Sequence, residues 1–266
     1  MYIRIFSFIK NEIHLIEEWL KHHGPLANWW GLHIIDNGST DGTTMILNRY
    51  KKKFGINVYH CDDFKSKGTL VTDMIKKYNK QPGVCIALDG DEFICLYKNN
   101  KIDKNIDNIK KYIQSIYDKG SIFCTRGWLT CVPEKEKYDN PVKEITKFKW
   151  ELTERSMCKK FTKNDNFVKI DLGFHQPVSK DMKFIDTDLV YLHYHGCDKQ
   201  QRKNRCEELI TQHGMDLDTI KQQIGKPGET MYVKKAFAGR DRVQEYMNIN
   251  NWKYEPTNSY DVEINS

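Results

Sequence analysis

The sequence predicts an α/β fold built on a mixed, mainly parallel sheet with helices on both faces. In the first hundred residues, short apolar runs alternate with helix-like segments, and three of the runs end in a cluster of polar residues. This alternation is typical of βαβ units, in which parallel strands are covered by the helices that connect them. The chain has 266 residues, 39% of them hydrophobic, which is enough for one sizeable core.

The first half of the chain divides into regular elements. Residues 3–8 are apolar and β-prone, and Asn11 can cap a helix in which Ile13, Ile16 and Leu20 share one face. The pattern predicts further strands at 32–35, 57–60 and 84–88 and further helices at 43–50 and 69–78. Four strands and three helices therefore alternate before residue 90.

The second half is less regular. Apolar runs predict strands at 122–129, 142–150, 168–170 and 189–194. Helices are predicted at 197–213, 219–224 and 233–247, and the Pro-Gly pair at 227–228 separates the last two. We therefore expect a helical C-terminal part.

The composition restricts the function classes only weakly. The net charge of +6 suits a diphosphate-bearing substrate, and also weak binding to nucleic acid or to a membrane surface. None of the eight cysteines forms a CxxC pair, so a zinc site of the usual spacing is not expected. Several cysteines lie in apolar runs as small buried residues, which favours a reduced, intracellular protein.

The sequence contains no recognisable targeting or membrane-spanning segment. The first apolar run is too short for a signal peptide, and no run approaches the ~20 residues that cross a bilayer. We expect a soluble, cytoplasmic protein that associates with a membrane at most peripherally.

Three polar clusters follow predicted strands, at 10–12, 36–41 and 89–92. In parallel sheets, ligands bind beyond the carboxyl ends of the strands. The three clusters are far apart in sequence, but the predicted topology brings them to one rim of the sheet. The sequence therefore predicts a ligand site at this rim.

The segment 89–92 carries the strongest chemical signal. Asp89, Asp91 and Glu92 surround Gly90 directly after a buried strand. Carboxylates are hard oxygen ligands for Mg²⁺ or Mn²⁺, which bridge phosphate oxygens, and the glycine lets the backbone turn closely. The alternative interpretation is an ordinary polar turn.

Two histidines form a second candidate for metal binding. If the segment 191–196 is extended, His193 and His195 point to the same side. Imidazole can complete a Mn²⁺ shell made otherwise of carboxylate, phosphate and water. A pair of structural histidines is the alternative.

Other residues have weaker individual signals. Asp36, at a strand end, can accept a hydrogen bond from a ribose hydroxyl or a base. Lys65 and Lys67 precede a helix N-terminus that favours phosphate, although a solvated basic turn explains them equally well. His175 can act as a general base near neutral pH, or it can be structural.

At this point the residues resemble a known family. The motifs Lys10-Asn11-Glu12, Glu18-Trp19-Leu20 with His22-His23, 36–43 and 88–93, in this order, are similar to those of GT-A glycosyltransferases. The KNE…EWL opening resembles the family 2 and family 92 types, and the likeness continues through 173–175 and 192–194. Similar enzymes occur in large DNA viruses of algae and protists. If this chain is of viral origin, we expect the protein in the cytoplasm of the host cell.

This resemblance implies a GT-A fold and a Mn²⁺- or Mg²⁺-dependent transfer from a nucleotide-diphosphate sugar. A UDP-sugar is favoured as donor, and the hydroxyl of a glycan or glycoprotein is the expected acceptor. The implied metal ligands are Asp89, Asp91 and His193. The resemblance implies that Asn11, Glu12, Asp36 and Asp89 bind the donor. Lys10, Lys65, Lys67 and Gly90, which lie in the same polar segments or before a helix N-terminus, complete the predicted donor-binding set. The implied domains are a glycosyltransferase domain over 1–205, with a nucleotide-sugar half at 1–100 and an acceptor half at 101–205, and a helical extension over 206–266.

The catalytic base is not identified by the resemblance, because the Glu-Asp pair of many inverting members has no clear equivalent. His175, Asp171 and Glu151 are the candidates, in that order, for direct inverting displacement. Trp128 can stack on an acceptor sugar, although a core aromatic is the favoured interpretation.

Three other functions predict different sequence features. A sugar nucleotidyltransferase would carry a Gly-rich phosphate loop in place of residues 9–12. A nucleic-acid-binding protein would not place acidic residues at the predicted rim. A catalytically inactive relative that binds a glycan or a nucleotide stays open, and turnover of the donor would distinguish it.

Overall fold

The computed structural model describes residues 1–99, 101–132, 135, 137–151, 158–195, 197 and 207. The strands are β1 (Tyr2–Ile9), β2 (Leu32–Asp36), β3 (Asn57–His60), β4 (Gly83–Leu88), β5 (Glu92–Lys98), β6 (Lys101–Asp103), β7 (Ile122–Cys124), β8 (Gly127–Cys131), β9 (Phe148–Glu151), β10 (Lys160–Lys163), β11 (Phe167–Lys169), β12 (Val178–Ser179), β13 (Phe184–Asp186) and β14 (Leu189–His193). The helices are α1 (Ile16–Leu26), α2 (Thr43–Phe54), α3 (Lys67–Lys76), α4 (Ile106–Ile116) and α5 (Pro141–Glu144), with 3-10 turns at Phe64–Ser66 and Tyr117–Lys119.

A seven-stranded sheet forms the centre of the molecule and confirms the predicted α/β class. Its strand order is β13-β7-β10-β4-β1-β2-β3. Strands β1 to β4 are mutually parallel, whereas β10 is antiparallel to both of its neighbours. The sheet is therefore mixed but mainly parallel, and the carboxyl ends of β1, β2 and β4 lie at one rim.

A five-stranded sheet, in the order β6-β5-β14-β8-β9, adjoins the first. The chain passes from one sheet to the other through the short turn between β4 and β5. Strand β14 lies antiparallel to β5 and parallel to β8, with His193 opposite Glu92. This register carries the end of β14 to the turn at 89–91.

Helix α1 explains why the Glu18-Trp19-Leu20 motif and the two following histidines occur together. Trp19 is fully buried and its indole donates to the carbonyl of Glu92 at 2.9 Å. His22 and His23 lie against the backbone of Ile94, at 2.7 and 3.3 Å. The motif therefore fixes the start of β5, directly after the acidic turn.

Several predicted elements differ from the structure. Asn11 does not cap a helix: it has a left-handed φ of 56°, and α1 begins at Ile16. The predicted strand at 122–129 is two strands in different sheets, because the backbone N–H of Thr125 donates to Lys159 and that of Arg126 donates to Leu189. The predicted strand at 142–150 begins with helix α5 before β9.

Helix α4 was not predicted, although its apolar face is regular. Ile109, Ile113 and Ile116 are buried at helical spacing, and the side chain of Asn105 accepts from the backbone of Asn108 at the helix start. The predicted boundary at residue 100 does not coincide with a boundary between sheets, since each sheet takes strands from both sides of it. The three predicted C-terminal helices and the 206–266 extension lie outside the described residues, except at 197 and 207.

Two further features concern the described part alone. Of its seven cysteines, all but Cys61 are buried. None of its helices combines the length and the apolar character needed to cross a membrane.

Candidate metal and nucleotide site

The loops after β1 and β2 are hydrogen-bonded to each other at the rim. The side chain of Asn11 accepts from the backbone of Thr40 at 2.8 Å, and the backbone N–H of Asn11 donates to Ser39 Oγ at 3.0 Å. The backbone N–H of Ile13 donates to Asp41 Oδ2 at 2.9 Å. The left-handed backbone of Asn11 places it for these contacts.

The turn after β4 packs on the first of these loops. A Cβ atom added to Gly90 would lie 2.7 Å from Ile9 Cγ2 and 3.0 Å from Glu12 Cγ. A side chain at position 90 would therefore force the turn or the β1 loop to shift. The three polar clusters expected to converge at one rim do converge.

Asp91, His193 and His195 form a cluster that could hold a metal ion. The Oδ2 atom of Asp91 lies 3.4 Å from His193 Nε2 and 3.3 Å from His195 Nδ1. All three ligand atoms lie within 4.8 Å of one another. Between the histidines, the backbone N–H of Tyr194 donates to the carbonyl of Asp91 at 2.9 Å, which ties the two segments together.

Packing holds this cluster in place. Tyr194 is buried and makes edge contacts with Phe93 and Phe148. Its side chain points into the core, so that His193 and His195 are directed to the opposite side and stack with ring centroids 5.3 Å apart. Side chains that alternate from the last residue of β14 into the following turn thus bring both imidazoles to one carboxylate.

Electrostatics favours the ionised carboxylate in this cluster. Burial would raise the pKa of Asp91, but the charges and hydrogen bonds of His193 and His195 outweigh burial and hold that pKa well below its usual range. Burial would lower the pKa of His193, yet Asp91 outweighs it and raises that pKa. Asp91 is therefore an anion ready to meet a cation.

Asp89 has different partners. Its Oδ1 atom accepts from Lys67 Nζ at 2.6 Å and its Oδ2 atom from Lys159 Nζ at 2.9 Å. Burial would raise the pKa of Asp89, but the two ammonium groups outweigh it and lower that pKa to about 2. Asp89 lies outside the Asp91 cluster, and both of its oxygens are occupied by lysines.

Lys159 connects the acidic turn to the loop at 171–176. Its side chain is 3% exposed and contacts Asp89, Glu92 Oε2 at 3.2 Å and the carbonyl of Gly173 at 2.9 Å. Burial and the nearby aspartates raise the pKa of Glu92 to about 6, against the opposing effect of Lys159. The ring of buried Phe174 lies under the ammonium groups of Lys67 and Lys159, at 4.1 and 5.4 Å.

The geometry gives some predicted donor-binding residues a structural role. Asp36 is fully buried; Oδ1 accepts from the backbone of Ser39 at 3.0 Å and Oδ2 from Thr44 Oγ1 at 2.5 Å. A contact of Asp36 with a nucleoside would require one of these bonds to be exchanged. Lys67 is turned inward to Asp89 and its side chain is only 7% exposed, so it is not presented to solvent as a phosphate ligand would be.

The remaining donor-binding candidates lie at the rim. Lys10 is half-buried at the end of β1, and Lys65 is exposed in the 3-10 turn before α3. The backbone N–H of Glu12 donates to Thr43 Oγ1 at 2.9 Å, and the carbonyl of Glu12 accepts from the first turn of α1. These residues stay predicted ligands.

The candidates for the catalytic base are placed unequally. Asp171 accepts from the backbone N–H groups of Gly173 and Gln176, and thereby shapes the loop. Within the described residues, the buried Nδ1 of His175 has no hydrogen-bond partner, and burial together with Lys159 lowers the pKa of His175 to about 4. The side chain of Glu151 lies outside the description, although its backbone pairs with Trp128.

Trp128 is half-buried on β8 and stacks on Tyr191 with centroids 5.8 Å apart. Trp128 belongs to the same sheet as His193, because β8 pairs with β14 and Thr130 of β8 lies opposite His193. The predicted acceptor role of Trp128 is therefore compatible with its place in the fold and stays a prediction.

Sequence reasoning missed two residues of the site. His195 was recognised as half of a pair but was not included among the metal ligands, although the His-Tyr-His alternation was a usable signal. Lys159 had no signal, because it lies in an irregular segment 70 residues from Asp89. A lysine becomes recognisable as part of a site only when its partners are known.

No protein-family model matches the sequence, and no curated protein matches it. Among solved structures, the chain is similar to S. aureus TarS: 94% of this chain and 90% of TarS 1–349 in complex with UDP align at 10% identity and a TM-score of 0.45. In a longer TarS structure the alignment spans 79% of this chain but only 40% of that chain, at 12% identity and a TM-score of 0.43.

A further similar structure is the glucosyl-3-phosphoglycerate synthase of Mycobacterium tuberculosis in complex with Mn²⁺ and UDP-glucose. It aligns with 48% of this chain and 43% of its own, at 15% identity and a TM-score of 0.30. A cytidylyltransferase of Leptospira borgpetersenii aligns over 47% and 54%, at 13% identity and a TM-score of 0.33. With TM-scores below 0.5, these similarities assign neither an activity nor a ligand to this chain.

Proposed function

We propose that this chain is a metal-dependent glycosyltransferase of the GT-A type that transfers a sugar from a nucleotide diphosphate to a hydroxyl acceptor with inversion. The observation that carries the proposal is the Asp91–His193–His195 cluster at the rim where three strand-end loops meet. In open α/β sheets, this rim is where nucleotides bind. A UDP-sugar as donor and a glycan or glycoprotein as acceptor follow from the sequence resemblance.

The donor set fits a divalent transition metal. Two imidazoles and one carboxylate suit Mn²⁺ better than Mg²⁺, which prefers an all-oxygen shell. The three ligand atoms already lie within 4.8 Å of one another. An ion held there would neutralise the diphosphate of the leaving nucleotide. The sequence predicted Mn²⁺ with Mg²⁺ as the alternative, and the second histidine favours Mn²⁺.

The two aspartates of the Asp89-Gly90-Asp91 turn then have separate tasks. Asp91 holds the cation, and Asp89 anchors the turn through Lys67 and Lys159. Because Asp89 is already paired, the turn keeps its shape without the ion, and the site is preorganised for a diphosphate. Lys10, Asn11, Glu12 and Lys65 are the rim residues within reach of a nucleotide.

A base must remove the proton of the acceptor hydroxyl. His175 is the first candidate because its imidazole is neutral at pH 7 and Asp171 is already bound to backbone N–H groups, although burial lowers the pKa of His175 to about 4 and makes it a weaker base than a free imidazole. The loop that carries it is bonded through Gly173 to Lys159, which contacts Asp89. Lys159 would thus connect the loop that carries the base to the turn that carries the leaving-group site. Proton transfer from the acceptor oxygen to His175 would accompany attack on the anomeric carbon.

A thermal-shift screen tests the proposal. The protein is heated with UDP-, GDP- and dTDP-sugars, each with and without Mn²⁺, since a ligand of the native state raises the melting temperature. We expect one class of nucleotide-sugar to raise the melting temperature. This shift should require Mn²⁺ and should be absent in Asp91→Ala. A shift of equal size without Mn²⁺, or in the variant, would contradict the metal role.

Product analysis separates the remaining functions. A glycosyltransferase or donor hydrolase releases nucleoside diphosphate, whereas a sugar nucleotidyltransferase releases pyrophosphate from a nucleoside triphosphate. Donor binding without either product would indicate an inactive relative. The cytoplasmic location, the viral likeness and membership of family 2 or family 92 stay predictions.

A further inference from the structure

Part of the sheet edge opposite the candidate site carries a group of exposed lysines. The amino ends of β1 to β4 lie there, next to the segments 27–31, 51–56 and 76–82. None of these three segments contains Asp or Glu. Six lysines in them are exposed, namely Lys51, Lys52, Lys53, Lys76, Lys77 and Lys80. We call these lysines, together with Tyr2 and Trp30, the basic edge.

Two exposed aromatic residues lie within the basic edge. Tyr2 is 43% exposed and Trp30 is 44% exposed. Their rings pack edge to face with centroids 5.3 Å apart. The guanidinium of Arg4 lies behind them, 5.2 Å from the ring centre of Tyr2 and 5.8 Å from that of Trp30. The two rings are thus supported from below while they face solvent.

Arg4 adds a positive charge that no described carboxylate pairs with. It is fully buried, stacks on the ring of Tyr78 at 4.3 Å and donates to the side chain of Gln81. Within the described residues, its Nε and Nη1 atoms have no hydrogen-bond partner. The field of this charge reaches the surface at Tyr2 and Trp30, where it adds to that of the lysines.

We propose that the basic edge docks on an anionic bilayer surface. Tyrosine and tryptophan are the residues enriched at the membrane–water interface, and lysines next to them bind acidic lipid headgroups. Lysine stems also bury apolar length while the ammonium group stays in water. The combination of two adjacent aromatic rings with six lysines and no acidic residue in the same segments fits an acidic lipid surface.

The packing of the aromatic pair distinguishes this occupant from single-stranded nucleic acid. Bases stack on aromatic rings whose faces are free and which follow a basic groove. Here Tyr2 and Trp30 pack against each other and against Arg4, on the edge where the strands begin. Rings that pack on each other beside lysines suit a bilayer better than a strand of bases.

Docking at this edge determines the orientation of the candidate site. Strand β1 has eight residues, so the rim lies about 25 Å from the basic edge. The metal cluster would face away from the bilayer and stay open to solvent. The inference does not depend on the proposed function, since none of its residues belongs to the metal site.

Vesicle co-sedimentation tests the proposal. The protein is mixed with phosphatidylcholine vesicles that either lack phosphatidylserine or contain about 30% of it. We expect binding to the acidic vesicles that is at least about tenfold tighter than to the neutral ones, and that is lost near 0.5 M salt because the charges are then screened. Equal binding to both vesicle types, or none to either, would overturn the proposal.

Variants locate the contact. Lys52→Glu/Lys53→Glu should weaken binding at least about tenfold, and Tyr2→Ser/Trp30→Ser should weaken it at low salt, where the wild-type protein binds. The control, Lys135→Glu/Lys143→Glu, changes the same charge on side chains that are 60% and 66% exposed beside Glu144 and Glu18. The proposal fails if the control weakens binding as much as the test pair. It also fails if a single-stranded oligonucleotide displaces the protein from the vesicles at stoichiometric amounts. Circular dichroism checks the fold of each variant.

Discussion

The Nζ atom of Lys159 lies 2.9 Å from Oδ2 of Asp89, although the two residues are 70 positions apart. Lys67 occupies the other oxygen of the same carboxylate. These contacts separate two aspartates that look equivalent in the sequence. Asp89 is balanced by lysines, and Asp91 is balanced by histidines that can exchange their carboxylate contact for a cation.

Removal of the proposed metal ligands should weaken Mn²⁺ binding without unfolding the protein. We expect Asp91→Ala to abolish the binding, and His193→Ala and His195→Ala each to weaken it more than about tenfold, because each removes one ligand of three. Isothermal calorimetry with MnCl₂ measures the affinity. His60→Ala, at an exposed histidine beside Asp62, is the matched control. Unchanged affinity in His195→Ala would exclude it as a ligand.

Loss of Lys159 should destabilise the fold. Lys159→Met removes the ammonium group that contacts both Glu92 and one oxygen of Asp89. The buried carboxylates lose this partner, which should lower the free energy of unfolding by about 3–5 kcal/mol. Urea denaturation measures it. Adding Glu92→Gln should recover part of the loss, because it removes one unpaired carboxylate. If the single and double variants are equally unstable, Lys159 acts through packing and not through charge.

Gly90→Ala should affect both the fold and the site. The new Cβ would lie 2.7 Å from Ile9 Cγ2, so the turn must shift, at a cost of about 1–3 kcal/mol and with weaker Mn²⁺ and nucleotide binding. Gly55→Ala is the control: it strains a φ of 74° but meets no atom within 4 Å. We expect that variant to lose about 1–2 kcal/mol of stability and no affinity. Normal Mn²⁺ binding in Gly90→Ala would show that the turn tolerates a side chain.

His175→Gln should lower kcat by about 10²–10⁴ if His175 is the base, with little change in the KM of the donor. Steady-state kinetics, once a donor is known, provide both values. Asp171→Asn should act differently, because it weakens the bonds to the Gly173 and Gln176 backbone and thus disturbs the whole loop. A kcat that stays at the wild-type value in His175→Gln would remove His175 from the mechanism.

Acid should destabilise the protein below pH 6.5 through its buried histidines. Burial, helped by Arg4, lowers the pKa of His33 to about 4. Between about pH 6.5 and 4 the unfolded chain therefore binds a proton that the folded chain does not, so stability falls with falling pH, by about 3 kcal/mol for this residue. His22 has a similarly lowered pKa of about 4, caused by burial.

The variant His33→Phe isolates this effect. Its free energy of unfolding, from urea denaturation at several pH values, should fall less steeply between pH 6.5 and 4 than that of the wild type. The ring of Phe6 stacks on His33 at 4.8 Å, so the substitution also changes packing. That change affects the free energy of unfolding equally at every pH, so it cancels when the slopes against pH are compared. Parallel slopes would mean that the folded protein protonates His33 as readily as the unfolded chain does.

The regular first half of the chain was the predictable part. Local periodicity located β1 to β4 within two residues at each end, since each strand is buried along almost its whole length or bounded by turn residues. The prediction of a single strand at 122–129 was wrong for a non-local reason. The first part of this run pairs with β10 and the second with β14, and periodicity carries no information about partners.

Alternation and turn chemistry are local properties of the chain, so the parallel core and the rim at which its polar loops meet can be predicted from the sequence alone. Which of the two aspartates is available to a cation depends on the tertiary structure. Lys159, His193 and His195 reach the turn from segments 70 to 104 residues away. Charge compensation in a buried site depends on distance in space, so it became visible only when these segments were placed against the turn.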